Sequence, residues 1–404
     1  MENIQILKLV IAFALIVFCI WQKRPLYQAM LAGILAVSVL YLIPPLQGLE
    51  LTYKVITDWS AVSILLILYL ITFLQRLLEK RSQIELAQKD LNGIFNNRRI
   101  NASIGPLFIG LLPSAAAMIL CGDIVKKATD GYMDKKEQAF VTTWFRHIPE
   151  STLPTYTGVL LMATLANVDI PSFMLAMIPP VIIMFGLGYM LYLRKLPADT
   201  GTPLSSNKWL DVYNLFKHLW SLLLIILLIL LFKISVVTAV AIVIVLALFI
   251  YKMQFSELKP MFKSAFEARL IGNTFLVLVF KEFISYTGVI NYLPEFFGQF
   301  PVPLYIVFSL LFFFGGIVSG TSGIIALGTT MAFTAIPDSG IPLMVLLMSM
   351  CHAASQVSPV HVCLAVVTEY FGITLGELVR KTLPVVIIFS FLMIIYYKLL
   401  LMVF

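Results

Sequence analysis

The sequence is poor in charged residues. Only 12% of its 404 residues are Asp, Glu, Lys or Arg, whereas 60% are hydrophobic and the mean hydropathy is +0.96. A soluble domain carries about twice that charged fraction, so the composition excludes an ordinary soluble protein. Apolar runs of about 20 residues, long enough to cross ~30 Å of hydrocarbon, recur along the chain. The composition therefore predicts an all-α polytopic membrane protein.

Cysteine and enzyme signatures are also scarce. The four cysteines, Cys19, Cys121, Cys351 and Cys363, are scattered, and no pair has the sequence spacing of metal ligands. The chain contains no HExxH motif, no Gly-x-Ser-x-Gly motif and no paired membrane aspartates. These absences predict no metal site and no enzyme, and they leave an intramembrane enzyme only as a remote alternative.

A basic n-region is missing before the first apolar run, where Glu2 and Asn3 stand instead, so we expect no cleavable signal. Lys23 and Arg24 follow that run and place its end in the cytoplasm. With alternating spans, most Lys and Arg residues then fall on the cytoplasmic side. Both termini are predicted to lie outside. The net charge of +7 is thus assigned to topology and not to nucleic-acid binding.

Two polar motifs interrupt the apolar background 205 residues apart, HIPESTLP at residues 147–154 and HAASQVSP at 352–359. The same offset relates Gly110 to Gly315, Ser114 to Ser319 and Pro179 to Pro384. Matching interruptions in two halves of a membrane chain are typical of a transporter whose binding site lies between two repeats. We therefore predict repeats at 1–205 and 206–404.

Each repeat is expected to contain five spans and one re-entrant hairpin, and an odd number of spans makes the repeats inverted. The polar stretches 79–104 and 194–217 are predicted to be loops. The hairpins are predicted near 104–121 and 303–335, because neither stretch fits as a full span. The predicted spans are 4–21, 26–43, 60–78, 139–166, 171–193, 216–232, 234–251, 266–286, 341–371 and 383–403.

Two of these spans, 139–166 and 341–371, are predicted to be discontinuous helices. Proline removes a backbone donor and clashes with the preceding turn, so Pro149, Pro154 and Pro359 should break them. Helix ends exposed at such breaks bind cations and anions. The candidate ion-coupling residues are His147, Glu150, Ser151, Thr152, His352, Ser355, Gln356, Ser358 and His361.

The ionisable residues at the breaks leave two interpretations open. A carboxylate at bilayer depth costs a few kcal/mol unless it is paired, protonated or hydrated. Glu150 is therefore either a cation or proton carrier or a structural partner of Arg146 or His147. Three of the four histidines, His147, His352 and His361, lie in the two breaks and would suit proton coupling. A zinc site is disfavoured, because no thiolate or carboxylate lies at ligand spacing from two of them.

The hairpin tips are the candidate substrate site. Hydroxyl groups and glycine backbone at the second tip suit an anion, although a tight packing turn would use the same residues. Arg146 is either an anion-binding charge or an interfacial topology charge. The candidate substrate-binding residues are Ser114, Ser319, Gly320, Thr321, Ser322, Gly323 and Arg146.

Several motifs resemble those of an uncharacterised family of prokaryotic integral-membrane permeases in the ion transporter superfamily. They are SPVHVCL at 358–364, TEYF at 368–371, the Arg146–His147 pair, and Glu150 with Pro154. Relatives in that superfamily include gluconate, lactate, citrate and dicarboxylate carriers and the large membrane subunit of TRAP transporters. The resemblance implies inverted repeats, an elevator-type motion and a homodimer, and it implies a location in the plasma or inner membrane of a prokaryotic cell. The 149–152 stretch lacks the family's aromatic residues, and the Ser-Asn-Thr tips of sodium–dicarboxylate carriers are absent. Substrate and coupling ion are therefore not carried over.

The sequence thus predicts a secondary active transporter, a permease for a small carboxylate-bearing anion. It would work as a symporter with H⁺ or Na⁺, and Na⁺ as coupling ion is the one candidate cofactor. A cation/proton exchanger without an organic substrate is the alternative. The expected partners are the anionic solute, the lipid bilayer and a second copy of the chain.

Overall fold

The computed structural model describes residues 2–22, 24–95, 97–111, 117–198, 207–292, 295–296, 299 and 301–403. The regular secondary structure in these ranges is helical, which confirms the predicted all-α fold class. Short 3₁₀ turns occur at Pro149–Ser151, Leu193–Lys195 and Val289–Tyr292. The α-helices are α1 (Glu2–Trp21), α2 (Leu26–Leu40), α3 (Pro45–Thr57), α4 (Trp59–Lys80), α5 (Gln83–Phe95), α6 (Arg98–Ile109), α7 (Ala117–Thr129), α8 (Lys135–His147), α9 (Thr157–Ala166), α10 (Ile170–Ala176), α11 (Ile178–Leu191), α12 (Lys208–Leu230), α13 (Val236–Ile250), α14 (Phe255–Ala265), α15 (Ala268–Thr287), α16 (Leu304–Ala335), α17 (Gly340–Ser355), α18 (Val362–Phe371) and α19 (Leu375–Leu400).

Among the described helices, six stretches are long and apolar enough to cross a membrane by length and composition. They are α4, the joined α10–α11, α12, α15, α16 and α19. The chain is accordingly a multi-pass membrane protein. The predicted loop 79–104 instead contains α5, and the predicted loop 194–217 contains the start of α12. These helices were not predicted because their sequences are polar. α5, for example, buries a narrow face that includes Ala87, and this face packs against α12.

The helices pack into two bodies, and each half of the chain contributes to both. Body A consists of α1–α5 and α12–α15, and body B of α6–α11 and α16–α19. Ion pairs join different helices within body A, as in Lys54–Glu282 at 2.8 Å and Arg81–Glu257 at 3.1 Å. Lys136–Glu377 at 2.8 Å does the same in body B. Among the described residues, no salt bridge links one body to the other.

Helix boundaries in body B recur after 205 residues. The first residues of α8, α9 and α10 correspond at this offset to those of α17, α18 and α19. α9 and α18 also end at matching positions, each followed by a left-handed cap, Asn167 at φ 54° and Gly372 at φ 64°. The next helix then starts with a side-chain cap in both halves, Asp169 and Thr374. The local signals for helix start and stop are therefore placed alike in the two halves.

α16 is folded back on itself at Gly320, whose φ of 75° and ψ of 164° are not helical. A Cβ atom added to Gly328 would lie 2.6 Å from the Phe312 ring, and one added to Gly315 would lie 2.5 Å from Ile324. Residues 312 and 328 would be about 24 Å apart in a straight helix. The two arms of α16 are therefore an antiparallel hairpin, which lies within the predicted range 303–335.

The first half has a similar pair of helices. α6 and α7 pack side by side, and a Cβ atom added to Gly105 would lie 3.1 Å from Ile124. The predicted turn near Pro113 and Ser114 lies outside the described residues. Ser114 therefore stays a prediction as a substrate-binding residue.

We expect spin labels at residues 302 and 337, just outside the two arms of α16, to lie within about 25 Å, because packed helix axes are roughly 10 Å apart. Val302 and Pro337 are both exposed, so Val302→Cys and Pro337→Cys can be introduced after the four native cysteines are replaced. Pulsed electron paramagnetic resonance measures the distance. A continuous helix from residue 304 to 335 would instead separate its ends by about 46 Å.

Candidate functional site

Two interrupted helices meet in body B. In the first, α8 ends at His147, a 3₁₀ turn follows at Pro149–Ser151, and α9 begins at Thr157. In the second, α17 ends at Ser355 and α18 begins at Val362. The non-helical residues between them include the prolines that the sequence places there, so backbone groups at the four helix ends lack intrahelical partners.

Hydroxyl groups attach each interruption to a hairpin arm. The hydroxyl of Tyr156 donates a hydrogen bond to the carbonyl oxygen of Gly110, at 2.5 Å. The hydroxyl of Ser358 donates to the carbonyl oxygen of Ile317, at 2.7 Å. Both bonds satisfy carbonyl groups near the end of a hairpin arm, and they fix the hairpins relative to the broken helices.

A cavity of about 160 Å³ lies between these elements. Its wall combines the first interruption, the tip of the α16 hairpin and one face of α17. Gly158 allows the close approach of the tip, because a Cβ atom there would lie 3.2 Å from Ile325 and 3.8 Å from Thr321. The lining residues are Glu150, Ser151, Tyr156, Thr157, Gly158, Thr321, Ser322, Met348, Cys351, His352 and Ser355.

Six of the predicted site residues line this cavity, namely Glu150, Ser151, Thr321, Ser322, His352 and Ser355. Others lie beside it and use their polar groups internally. Ser319 donates to the carbonyl oxygen of Gly315, at 2.7 Å, and Thr152 to that of Ile148, at 3.4 Å. Gly320 and Gly323 lie at the hairpin turn. Gly320 has non-helical backbone angles there, and a Cβ atom added to Gly323 would lie 2.9 Å from Ser319.

Arg146 lies behind the cavity wall. Its side chain is 2% exposed, and its Nη1 atom is 3.0 Å from Oε2 of Glu150, whose side chain is 23% exposed. The ion pair therefore presents the carboxylate to the cavity and keeps the guanidinium inside the protein. Arg146 is not among the described residues that line the cavity, and its substrate-binding role stays a prediction.

The three histidines occupy different positions. Nε2 of His147 is 3.0 Å from Nε2 of His361 and 3.7 Å from Oε2 of Glu150. His352 lies against Trp144 and Phe389, and its Nε2 atom has no hydrogen-bond partner among the described residues. Since buried polar atoms are usually hydrogen-bonded, this nitrogen has capacity for one further hydrogen bond.

Gln356 is a second buried polar group without a described partner. It is fully buried, and neither its amide nitrogen nor its amide oxygen makes a hydrogen bond within the described part of the chain. It does not line the cavity among the described residues. Its predicted ion-coupling role stays a prediction.

A larger cavity, of about 590 Å³, lies between the two bodies. Body A contributes Ser60, Ser63 and Lys281 to its wall, and body B contributes the corner between α9 and α10, including Asn167 and Asp169. Polar residues of both bodies face this cavity together with apolar residues such as Leu165 and Ile170. The two bodies remain in contact through α4 and α9.

Sequence reasoning missed five lining residues, Tyr156, Thr157, Gly158, Met348 and Cys351. The first three follow Pro154 directly, at the N-terminal end of α9. The signal that could have found them is the proline, because a helix that restarts after a break exposes the residues of its first turn.

A family model described as a protein of unknown function, DUF401, matches residues 6–400. The chain belongs to the DUF401 family. No curated protein matches it. Among solved structures, the chain is similar to the Alcanivorax borkumensis YdaH transporter, whose crystal structure is reported to reveal an unusual topology. The identity is 11%, the match covers 89% of this chain and 90% of that one, and the TM-score is 0.48.

Proposed function

We propose that this DUF401 protein is a secondary active transporter of a small, carboxylate-bearing anion, coupled to H⁺ or Na⁺. The observation that carries the proposal is the 160 Å³ cavity, whose wall joins both interrupted helices to a hairpin tip. Hydroxyl groups dominate its polar lining, and His352 has a nitrogen available for a hydrogen bond. Such a site suits a small polar solute enclosed within the bilayer.

Charge supplies a reason for coupling. Arg146 and Glu150 together have a formal charge of zero, and Glu150 faces the cavity. An anion that enters next to this carboxylate is repelled. A cation that neutralises Glu150, either H⁺ or Na⁺, leaves the site with a formal charge of +1 and makes anion binding favourable. Anion and cation then bind together, which is the requirement for symport.

The arrangement of the two bodies supports an elevator-type motion, in which body B carries the cavity past body A. The described ion pairs hold each body together, and none of them joins the bodies. The cavity of about 590 Å³ between them leaves space for displacement. We further propose that body B contains an inverted pair of repeats, in agreement with the 205-residue offset of its helix boundaries. In the homodimer implied by the resemblance, body A would form the contact.

The test is uptake of radiolabelled mono- and dicarboxylates by proteoliposomes under an imposed pH or Na⁺ gradient. We expect concentrative uptake of at least one acid, dependent on one of the two gradients. Absence of gradient-driven uptake across a panel of small acids would remove the proposal.

A cation/proton exchanger is the second candidate, because the cavity wall contains a carboxylate and several hydroxyl oxygens, which are hard-cation ligands. Dequenching of a pH-sensitive dye on addition of Na⁺ or K⁺, without any organic acid, would favour the exchanger. If dequenching in the same assay occurred only when an organic acid was present, the symporter would be favoured.

We expect Thr321→Val to raise the KM for the solute about fivefold, with little change in maximal rate, because one hydrogen bond is worth about 1 kcal/mol. Thr321 lines the cavity at the hairpin tip. Thr334→Val is the matched control, since Thr334 lies on the same hairpin and donates to the carbonyl oxygen of Thr330 at 2.8 Å. Equal KM values for the two variants would contradict a solute contact at Thr321.

A further inference from the structure

A cluster of metal-binding side chains lies beside the cavity. His147 ends α8, His361 is the N-cap residue of α18, and Cys363 lies in the first turn of α18. One nitrogen of each histidine and the sulfur of Cys363 all lie within 4.8 Å of one another. His147 and Cys363 are 216 residues apart in the chain, so only the fold brings them together.

The two imidazole rings are close enough for one nitrogen of each to bind the same metal ion. Their Nε2 atoms are 3.0 Å apart, and the ring planes make an angle of 68°. Two nitrogen ligands of a tetrahedral zinc ion lie about 3.3 Å apart, and a nitrogen and a thiolate sulfur about 3.5 Å apart, given Zn–N of ~2.0 Å and Zn–S of ~2.3 Å. The two nitrogens are 3.0 Å apart, which is about 0.3 Å closer than in such a site. The three ligand atoms lie within 4.8 Å of one another, so metal binding requires the sulfur to approach the nitrogens by up to about 1.3 Å.

The two neighbouring charged side chains have opposite effects on a bound cation. The Arg146 guanidinium repels it, whereas Glu150, whose Oε2 is 3.7 Å from Nε2 of His147, attracts it and can serve as a fourth ligand. Binding of a divalent ion forms two nitrogen–metal bonds and one sulfur–metal bond, and it releases the thiol proton of Cys363 to solvent. The formal charge of the group then changes from 0 to +1, which is modest for a buried divalent ion.

We propose that His147, His361 and Cys363 form a binding site for a borderline-soft transition-metal ion of the Zn²⁺ class. Imidazole and thiolate are the ligands that zinc prefers, whereas Mg²⁺ and Ca²⁺ prefer oxygen. The sequence spacing disfavoured a metal site, because His147 comes from the first half of the chain, whereas His361 and Cys363 come from the second. The site does not require the proposed transport activity, although a metal ion there would also engage the surroundings of Glu150.

The experiment is a titration of the purified full-length protein in detergent with Co²⁺, followed by displacement with Zn²⁺. We expect a thiolate-to-cobalt charge-transfer band in the near ultraviolet, lost when Zn²⁺ is added. Cys363→Ser should abolish the band. His361→Ala should weaken binding by about tenfold or more, since even the loss of an outer-shell partner costs ~10-fold.

The chain offers matched controls. Cys19→Ser removes a thiol from α1, and His218→Ala removes the one histidine outside the two interrupted helices, which pairs with Asp90 at 2.6 Å. Both variants should bind Co²⁺ as the unmodified protein does. A missing charge-transfer band in the unmodified protein would overturn the proposal, and so would an unchanged band in Cys363→Ser. Because no gradient exists in detergent, a failure of transport leaves this result unaffected.

Discussion

Glu150→Gln is expected to reduce gradient-driven solute uptake in proteoliposomes by about 100-fold, near the upper end of the 5- to 150-fold range of typical coupling energies. The amide keeps the size of the side chain but cannot be neutralised by H⁺ or Na⁺. The variant should resemble the cation-loaded state permanently, so exchange of labelled for unlabelled solute without a gradient should persist. Loss of concentrative uptake together with retained exchange is the result that distinguishes coupling from folding.

The control for this variant is Glu369→Gln. Glu369 is an exposed carboxylate on α18, about two helical turns after the second interruption, and it does not line the described cavity. Its replacement should leave uptake unchanged. Gel filtration and thermal unfolding of Glu150→Gln show whether loss of the ion pair with Arg146 has destabilised the protein, since breaking a buried ion pair costs about 3–5 kcal/mol. Gradient-driven uptake at the normal rate would remove Glu150 from the coupling step.

Gly110→Ala is expected to destabilise body B by about 1–3 kcal/mol or more, the range measured for overpacked cores. A Cβ atom at this position would lie 2.1 Å from the carbonyl oxygen of Arg146. That oxygen belongs to the backbone of α8 and cannot rotate away, so α6 and α8 must separate. The separation would also break the hydrogen bond from Tyr156 to Gly110. Thermal unfolding in detergent, followed by gel filtration of the heated samples, measures the loss.

Gly186→Ala is the matched control for that substitution. Gly186 lies within α11, and a Cβ atom there would meet nothing within 4 Å. Alanine should be neutral or stabilising at this helical position, by up to about 1 kcal/mol. If Gly110→Ala unfolded at the same temperature as Gly186→Ala, the close contact between α6 and α8 would be wrong.

The sequence was most informative where backbone chemistry decides the structure. Proline lacks the backbone donor of a continuous helix, and Pro149, Pro154 and Pro359, which lie among polar residues, correctly locate the two interruptions. Proline alone is not sufficient, because Pro106, Pro260 and Pro384 lie inside helices. The glycines of the second hairpin likewise mark its turn, with Gly320 in a backbone conformation that other residues rarely adopt. The all-α fold class follows from the long apolar runs.

Tertiary packing decided the rest, and the sequence could not show it. Spacing along the chain makes Arg146 and Glu150 partners, but only the fold determines that the carboxylate faces the cavity and the guanidinium does not. Cys363 received no metal-binding role from the sequence, because His147 lies 216 residues away along the chain. Polar helices such as α5 are likewise hard to predict, because their stability depends on the helix that they cover.

The intertwining of the two halves has a consequence for biogenesis. Helices made early, such as α3 and α4, pack against α15, and α8 and α9 pack against α16–α19. The first half therefore has no finished core when it leaves the ribosome, and it must persist in the bilayer until its counterparts are inserted. Contacts across so much intervening chain form slowly. Production of the two halves as separate polypeptides should consequently succeed only when both are present in the same membrane.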